Sequence, residues 1–277
     1  MRTLHTRRTL TVAAGVIALA AAGITGTGAA HAAQPAPAAA AHTFADGAKT
    51  AGLAAAHFGG ISASRHEIGG AASLVNAHAR HGFNINGGNW SGMVATGSGF
   101  TSTSTSWTEP SVTCNSTNDL MAPWVGIDSY GSSSVEQTGV ATDCSSGSPV
   151  YQGWYEMYPA NPVYYSNTVE AGDSITATVN RSGESYTLIL TDNTQGWTQT
   201  TTQSYDGANA SADFIIESPT ASYPDFGEVD FTGSTVNGSA LGDFSPTALD
   251  ASNSNGYEDQ TSALSGGTDF SISYLQE

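Results

Sequence analysis

Beyond residue 81 the chain has no histidine and no lysine, and its single arginine there is Arg181. The seven histidines are His5, His31, His42, His57, His66, His78 and His81. Residues 82–277 therefore cannot build a Ser-His-Asp triad, a Cys-His pair or a histidine-ligated zinc site. Any enzyme made from them works with carboxylates, amides, hydroxyls and backbone groups. The same stretch shows no phosphate-cradling glycine loop, no EF-hand pattern and no cluster of metal-ligand type, so no metal and no cofactor is expected. Scattered acids such as Asp225, Glu228 and Asp230 read as a solvated face.

Against that one arginine stand 22 of the chain's 24 Asp and Glu residues, a formal charge of −21 for residues 82–277. Self-repulsion of that size opposes a compact state at neutral pH. Below roughly pH 4 most of the charge vanishes. Acid denaturation usually comes from mounting positive charge and broken carboxylate pairs, and here there is little base to supply either. The composition reads as adaptation to an acidic exterior, against the plainer alternative of an ordinary acidic secreted protein. Nucleic acid and anionic membrane are poor partners for such a surface.

The first 32 residues read as a secretory signal. Arg2, Arg7 and Arg8 form a basic start, residues 10–22 a short apolar core, and Ala30-His31-Ala32 an A-x-A type cleavage site. The Arg7-Arg8 pair hints at twin-arginine export, although other signals carry such pairs too. No later segment is apolar enough to anchor the product in a membrane. Residues 33–85 are Ala-rich and hold Lys49, Arg65 and Arg80 against Asp46 and Glu67, with five of the histidines. They read as a removable pro-segment lacking stable β structure, or alternatively as a disordered spacer. A slightly basic segment beside a strongly acidic domain is expected to bind and inhibit it, and acidification to weaken that grip. Cys114 and Cys144 are expected to pair outside the cell, the alternative being two unrelated buried thiols.

Residues 86–277 read as one domain. Short alternating runs at 174–180 (SITATVN), 185–190 (SYTLIL), 197–205 (WTQTTTQSY), 212–217 (ADFIIE) and 270–275 (FSISYL) are separated by turn residues. No convincing helical period appears. The pattern predicts an all-β fold, an antiparallel sandwich or barrel. Residues 243–267 are rich in turn formers and hard to assign.

Five stretches do more than fill strands. They are Asn89-Trp90-Ser91-Gly92, Trp124-Val125-Gly126-Ile127-Asp128, Glu136-Gln137-Thr138-Gly139, Trp154-Tyr155-Glu156-Met157-Tyr158-Pro159 and Ala212-Asp213-Phe214-Ile215-Ile216-Glu217. In this order they resemble the glutamic peptidases of the eqolisin family. The resemblance implies a two-sheet antiparallel β-sandwich, concanavalin-like or jelly-roll-like, and a secreted acid endopeptidase acting on polypeptides, expected to be a monomer. It places the catalytic glutamine at Gln137 and the catalytic glutamate at Glu217. Glu217 would take a proton from water and return it to the leaving amine. Gln137 would donate to the oxyanion. It also implies that Trp124 and Tyr158 wall the cleft, that Trp90 lies near it, and that Asp128 and Glu156 orient Gln137 and the water. Met157 and the stretch after Gly139 depart from the family's usual residues, which bears on substrate preference.

The roles also follow from chemistry. A carboxylate base suits an acidic optimum, and a neutral amide stabilises an oxyanion at any pH. Two other readings stay open on the residues alone. A sandwich glycosidase would use two carboxylates such as Glu156 and Glu217, with Gln137 turned away. A non-catalytic binding module would leave Gln137 and Glu217 on opposite faces or sheets.

Overall fold

A computed structural model describes residues 82–277 of the chain. The signal segment 1–32 and residues 33–81 of the expected pro-segment lie outside the described residues. The described part is two large stacked sheets, a small two-stranded sheet of Ser252–Asn253 with Gly256–Tyr257, and a short 3-10 turn at Leu241–Phe244.

The back sheet runs, strand beside strand, through Trp197–Ser204, Ser185–Asp192, Ser174–Ser182, Ser102–Thr108, Glu228–Val236, Phe270–Tyr274 and Asp259–Thr261. Its central strands alternate strictly: Ile175, Ala177 and Val179 are buried while Thr176 and Thr178 between them are not. One face packs on the core and the other meets solvent, as an antiparallel sheet allows. Neighbouring strands are joined tightly where the sequence permits. Gly183 takes φ +62° in the two-residue turn that pairs Ser182 with Ser185, a conformation that favours glycine in hairpins.

The front sheet runs through Ile85–Asn86, Thr247–Asp250, Trp90–Thr96, Ser211–Glu217, Leu120–Asp128, Val135–Asp143, Val150–Tyr158 and Val163–Tyr164. All its pairings are antiparallel except the short one between Ile85–Asn86 and Thr247–Asp250. Three central strands, Leu120–Asp128, Val135–Asp143 and Ser211–Glu217, are buried at every residue.

Two apolar clusters result. The larger lies between the sheets, where Met121, Val125, Ile127, Phe214 and Ile216 of the front sheet meet Ile175, Val179, Leu188, Leu190 and Phe231 of the back sheet. Burying a side chain of this size contributes roughly 1.5–3 kcal/mol. The smaller cluster occupies the other face of the front sheet, with Trp90, Trp124, Trp154, Val135 and Ile215.

The structure moves two sequence boundaries. Asn84 donates from its backbone N–H to Asp250 Oδ2 at 2.6 Å and from Nδ2 to Thr261 O at 2.7 Å, and Ile85 pairs with Leu249. The sandwich therefore begins before residue 86. The turn-rich 243–267 region supplies one strand to each sheet, Thr247–Asp250 and Asp259–Thr261. Cys114 and Cys144 form a disulfide. It ties the connection before the Leu120–Asp128 strand to the end of the Val135–Asp143 strand.

Candidate active site

The register of the front sheet sets the site. Glu217 lies opposite Trp90 on one side and Ala122 on the other. Trp124 lies opposite both Ile215 and Gly139. Gln137 lies opposite Gly126 and Glu156, and Gly139 opposite Trp154. Directly opposed residues share a face, and so do residues two apart in one strand. Trp90, Glu217, Ile215, Trp124, Gln137, Glu156, Trp154 and Tyr158 therefore rise from one face of one sheet. Gln137 and Glu217 stand two strands apart, on either side of the strand that carries Trp124.

Trp124 fills the middle because its neighbours are small. A Cβ on Gly126 would come within 3.0 Å of its indole Cζ3. One on Gly139 would come within 2.7 Å of the Trp124 Cβ and strike the Pro123 carbonyl oxygen. The indole is thus laid over Gly126, beside Gln137. Trp90 meets it edge to face, with ring centroids 5.3 Å apart and planes at 81°. Such a pair contributes roughly 0.5–1.5 kcal/mol beyond area burial.

The polar groups are held individually. Gln137 donates from Nε2 to Glu156 Oε2 at 3.0 Å. Asn89 donates from Nδ2 to Glu217 Oε1 at 3.2 Å and to the Ser218 carbonyl oxygen at 3.0 Å. Gln137, Glu156 and Glu217 are fully buried. Tyr164, opposite Trp154 at the sheet edge, is pushed up by burial and then by the charges of Glu156 and Asp143, so its hydroxyl stays neutral.

The sequence profile of the Peptidase A4 family matches residues 88–274, which takes in every one of these positions. The chain belongs to the peptidase A4 family. It is 29% identical to aspergillopepsin-2 of Aspergillus niger over 197 residues, covering 58% of this chain and 69% of that protein. Its fold is similar to that of scytalido-glutamic peptidase, solved with a transition state analogue inhibitor, at TM-score 0.59 and 26% identity, over 68% of this chain and 98% of that one. It is also similar to SCP-B, a member of the eqolisin family solved with the tripeptide Ala-Ile-His, at TM-score 0.56 and 26% identity, over 68% of this chain and 98% of that one. This chain is accordingly a glutamic peptidase, and protein hydrolysis is its reaction.

In this A4 peptidase one expected neighbour of Gln137 is turned elsewhere. The resemblance implied that Asp128 orients Gln137 and the water. Its carboxylate instead accepts from the backbone N–H groups of Asn209 and Ala210, both at 2.8 Å. The cause is local. Asp128 has φ +67° and Ser129 φ +111°, so the strand ends there and the side chain swings toward the 205–210 connection. Asp128 staples that connection in place just before the strand that ends at Glu217.

Two residues were not given a role from sequence. Asn89 was read only as part of a motif. Glu136 stands between Val135 and Gln137, so strand alternation sends it to the opposite face, toward the core. There it is pushed up to about 8, by burial first and by the charge of Asp128 second. Alternation alone could have found it, since it is an acid on the inward face of a buried strand. Asp213, on the Glu217 strand, is fully buried, accepts from Ser129 Oγ and Ser211 Oγ at 3.0 Å each, and is raised well above the usual carboxyl range by burial.

Proposed function

We propose that the chain is a secreted acid endopeptidase in which Glu217 and Gln137 act as one unit. The observation that supports this reading best is their common face around Trp124. Glu217 takes a proton from a water, which attacks the scissile carbonyl carbon. Gln137 donates its amide N–H to the oxygen that becomes negative. The C–N bond then breaks as Glu217 returns its proton to the leaving amine. General base and oxyanion contributions of this kind are worth about 10²–10⁴ and 10²–10³ in rate. Glu156 orients the Gln137 amide through their hydrogen bond. Trp90, Trp124 and Tyr158 supply the apolar surface for peptide side chains.

The contact between Gln137 and Glu156 speaks against a two-carboxylate glycosidase, in which Gln137 would be turned away. The shared face of Gln137 and Glu217 speaks against a module with no active site. Export follows from the signal at residues 1–32. Restraint of the precursor by residues 33–85 rests on their positive charge beside the acidic domain.

The test is digestion of a denatured protein at about pH 3–4, near the carboxyl range, by wild type, Gln137→Ala and Glu217→Ala. Loss of cleavage by both variants is expected. Full activity in either would overturn the assignment. For the precursor, processing and activity after an acid shift are expected. A precursor that stays intact and inactive would remove the inhibitory role of residues 33–85.

A further inference from the structure

Three titratable side chains from three strands meet under residues 205–210, the connection that leads into Ser211–Glu217. Asp128, at the end of one front strand, accepts from the backbone N–H groups of Asn209 and Ala210, both at 2.8 Å. Tyr186, on a back-sheet strand, donates its hydroxyl to Asn209 Oδ1 at 2.7 Å. Glu136, on the core face of the next front strand, stands opposite Ile127, the residue before Asp128. Gly207 shows how closely the three converge. A Cβ there would come within 2.5 Å of the Tyr186 hydroxyl, 2.6 Å of Asp128 Oδ2 and 3.2 Å of Glu136 Oε2. Asn209 closes the connection on itself by donating from Nδ2 to the Gly207 carbonyl oxygen at 2.6 Å. Asp128, Glu136, Tyr186 and Asn209 are all buried.

We propose that Glu136, Asp128 and Tyr186 form an acid-closed latch on residues 205–210, shut while Glu136 carries its proton and released when that proton leaves. A protonated Glu136 is a neutral neighbour for the Asp128 carboxylate. An ionised one sets two negative charges against each other in the interior. Burial first, and the charge of Asp128 second, hold Glu136 up to about 8. Once the connection lifts and water enters, the carboxyl returns toward about 4.3. The closed form therefore binds one more proton. Its advantage is complete below roughly pH 4 and lost as pH passes about 8, and between those limits the open fraction rises by up to about tenfold per pH unit. The other groups around Glu136 leave that sign unchanged. Tyr186 is raised by burial and then by Glu136 and Asp128, so it stays neutral, and Arg181 on the adjoining strand acts on it. Met157 lies opposite Glu136 on its other side. Tyr155 and Tyr205 pack against the same core, Asp206 is exposed, and Asp213 feels the charge of Asp128. Release loosens the entry to the strand that ends at Glu217, which withdraws cleavage outside acid. That consequence rests on the reading of Glu217 as the general base; the latch itself does not.

The experiment is hydrogen exchange of the full chain between about pH 4 and pH 8, the range over which the proton is lost, read as protection of the Asn209 and Ala210 amides. In wild type their protection should fall by up to about tenfold per pH unit. It should lie below that of Leu188 and Leu190 in the back sheet throughout, as a local opening requires. Glu136→Gln and Glu136→Leu both remove the titration, and the second needs no hydrogen-bond partner. Either should make protection at Asn209 and Ala210 nearly independent of pH. Asp128→Asn removes the acceptor and should leave both amides poorly protected even in acid. Glu109→Gln is the control for whole-domain stability. Glu109 is also buried, but it faces Trp107, Thr142, Asp173 and Asp192, so its substitution should leave the loss at Asn209 and Ala210 as in wild type. Four results would overturn the latch: constant protection in wild type, protection equal to that of Leu188 and Leu190, the wild-type decline in both Glu136 variants, or rescue by Glu109→Gln. Exchange is read without cleavage, so failure of the latch leaves the Glu217 reading standing, and inactivity or activity of Glu217→Gln bears on that reading alone.

Discussion

The two large sheets are both built almost wholly from antiparallel pairs, yet they use their residues in opposite ways. In the back sheet many of the outward side chains are small hydroxyls. Ser104 bonds Thr178 at 2.7 Å, Ser106 bonds Thr176 at 2.8 Å and Thr191 bonds Thr198 at 3.0 Å. The acids on that face, such as Glu228, which accepts from Ser273 Oγ at 2.7 Å, lie at its exposed surface. In the front sheet both faces are buried along the central strands, one by the core and the other within the tryptophan cluster, and carboxyls sit on both. On the proposed assignment the back sheet is scaffold, and the front sheet holds Gln137 and Glu217 on its second face. A sandwich can specialise this way because only one face of one sheet is needed to hold the other sheet.

The largest expected contrast comes from removing the centre of each outer face. Trp124→Ala takes out the ring on which Trp90 leans, and should destabilise by about 3–5 kcal/mol while abolishing cleavage. Thermal unfolding and digestion assays read the two losses. Cys114→Ala with Cys144→Ala frees one end of a front strand. For a sequence separation of 30 residues the entropy model gives about 3–4 kcal/mol, measured by denaturant titration.

Acid dependence sharpens the comparison further. Glu136 is raised to about 8 by burial and then by the Asp128 charge, Glu109 to about 7 and Glu258 to about 7 by burial. In the unfolded chain these groups lose their protons at about 4.3. Between those limits the folded chain binds more protons, so stability falls as pH rises. The contribution is complete below roughly pH 4 and lost as pH passes about 7–8. Melting temperature measured from pH 4 to 8 should decline. Glu136→Gln should flatten part of that slope and be about 2–3 kcal/mol more stable than wild type near pH 8. The smallest effect belongs to the back face. Thr187→Ala or Thr202→Ala should stay within about 0.5 kcal/mol and leave cleavage unchanged, and a large loss there would erase the division of labour.

The same contrast explains what the sequence made legible. The alternating runs at 174, 185, 197 and 270 are all back-sheet strands, where one wet face gives a clean period of two. The strands Leu120–Asp128, Val135–Asp143 and Val150–Tyr158 show little alternation because both faces are covered. They became visible through their motifs, which hold Trp124, Gln137 and Glu156. Asp128 was legible as a site-motif residue but not in its direction, since its orientation follows from a positive φ at the end of its strand. The contacts of Asn89 escaped because they are to residues 128 and 129 positions away. The acidic composition was read as surface charge that vanishes in acid. The structure adds a second cause, because several carboxyls are interior and favour the protonated state.

The central claim is that Gln137 and Glu217 form one catalytic unit on one face. The direct test is a double-mutant cycle on kcat in acid, with Gln137→Ala, Glu217→Gln and both together. Residues that act as a unit are strongly non-additive. The account predicts that the double variant is no slower than the worse single one. Losses that multiply, or a single variant with wild-type kcat, would contradict it.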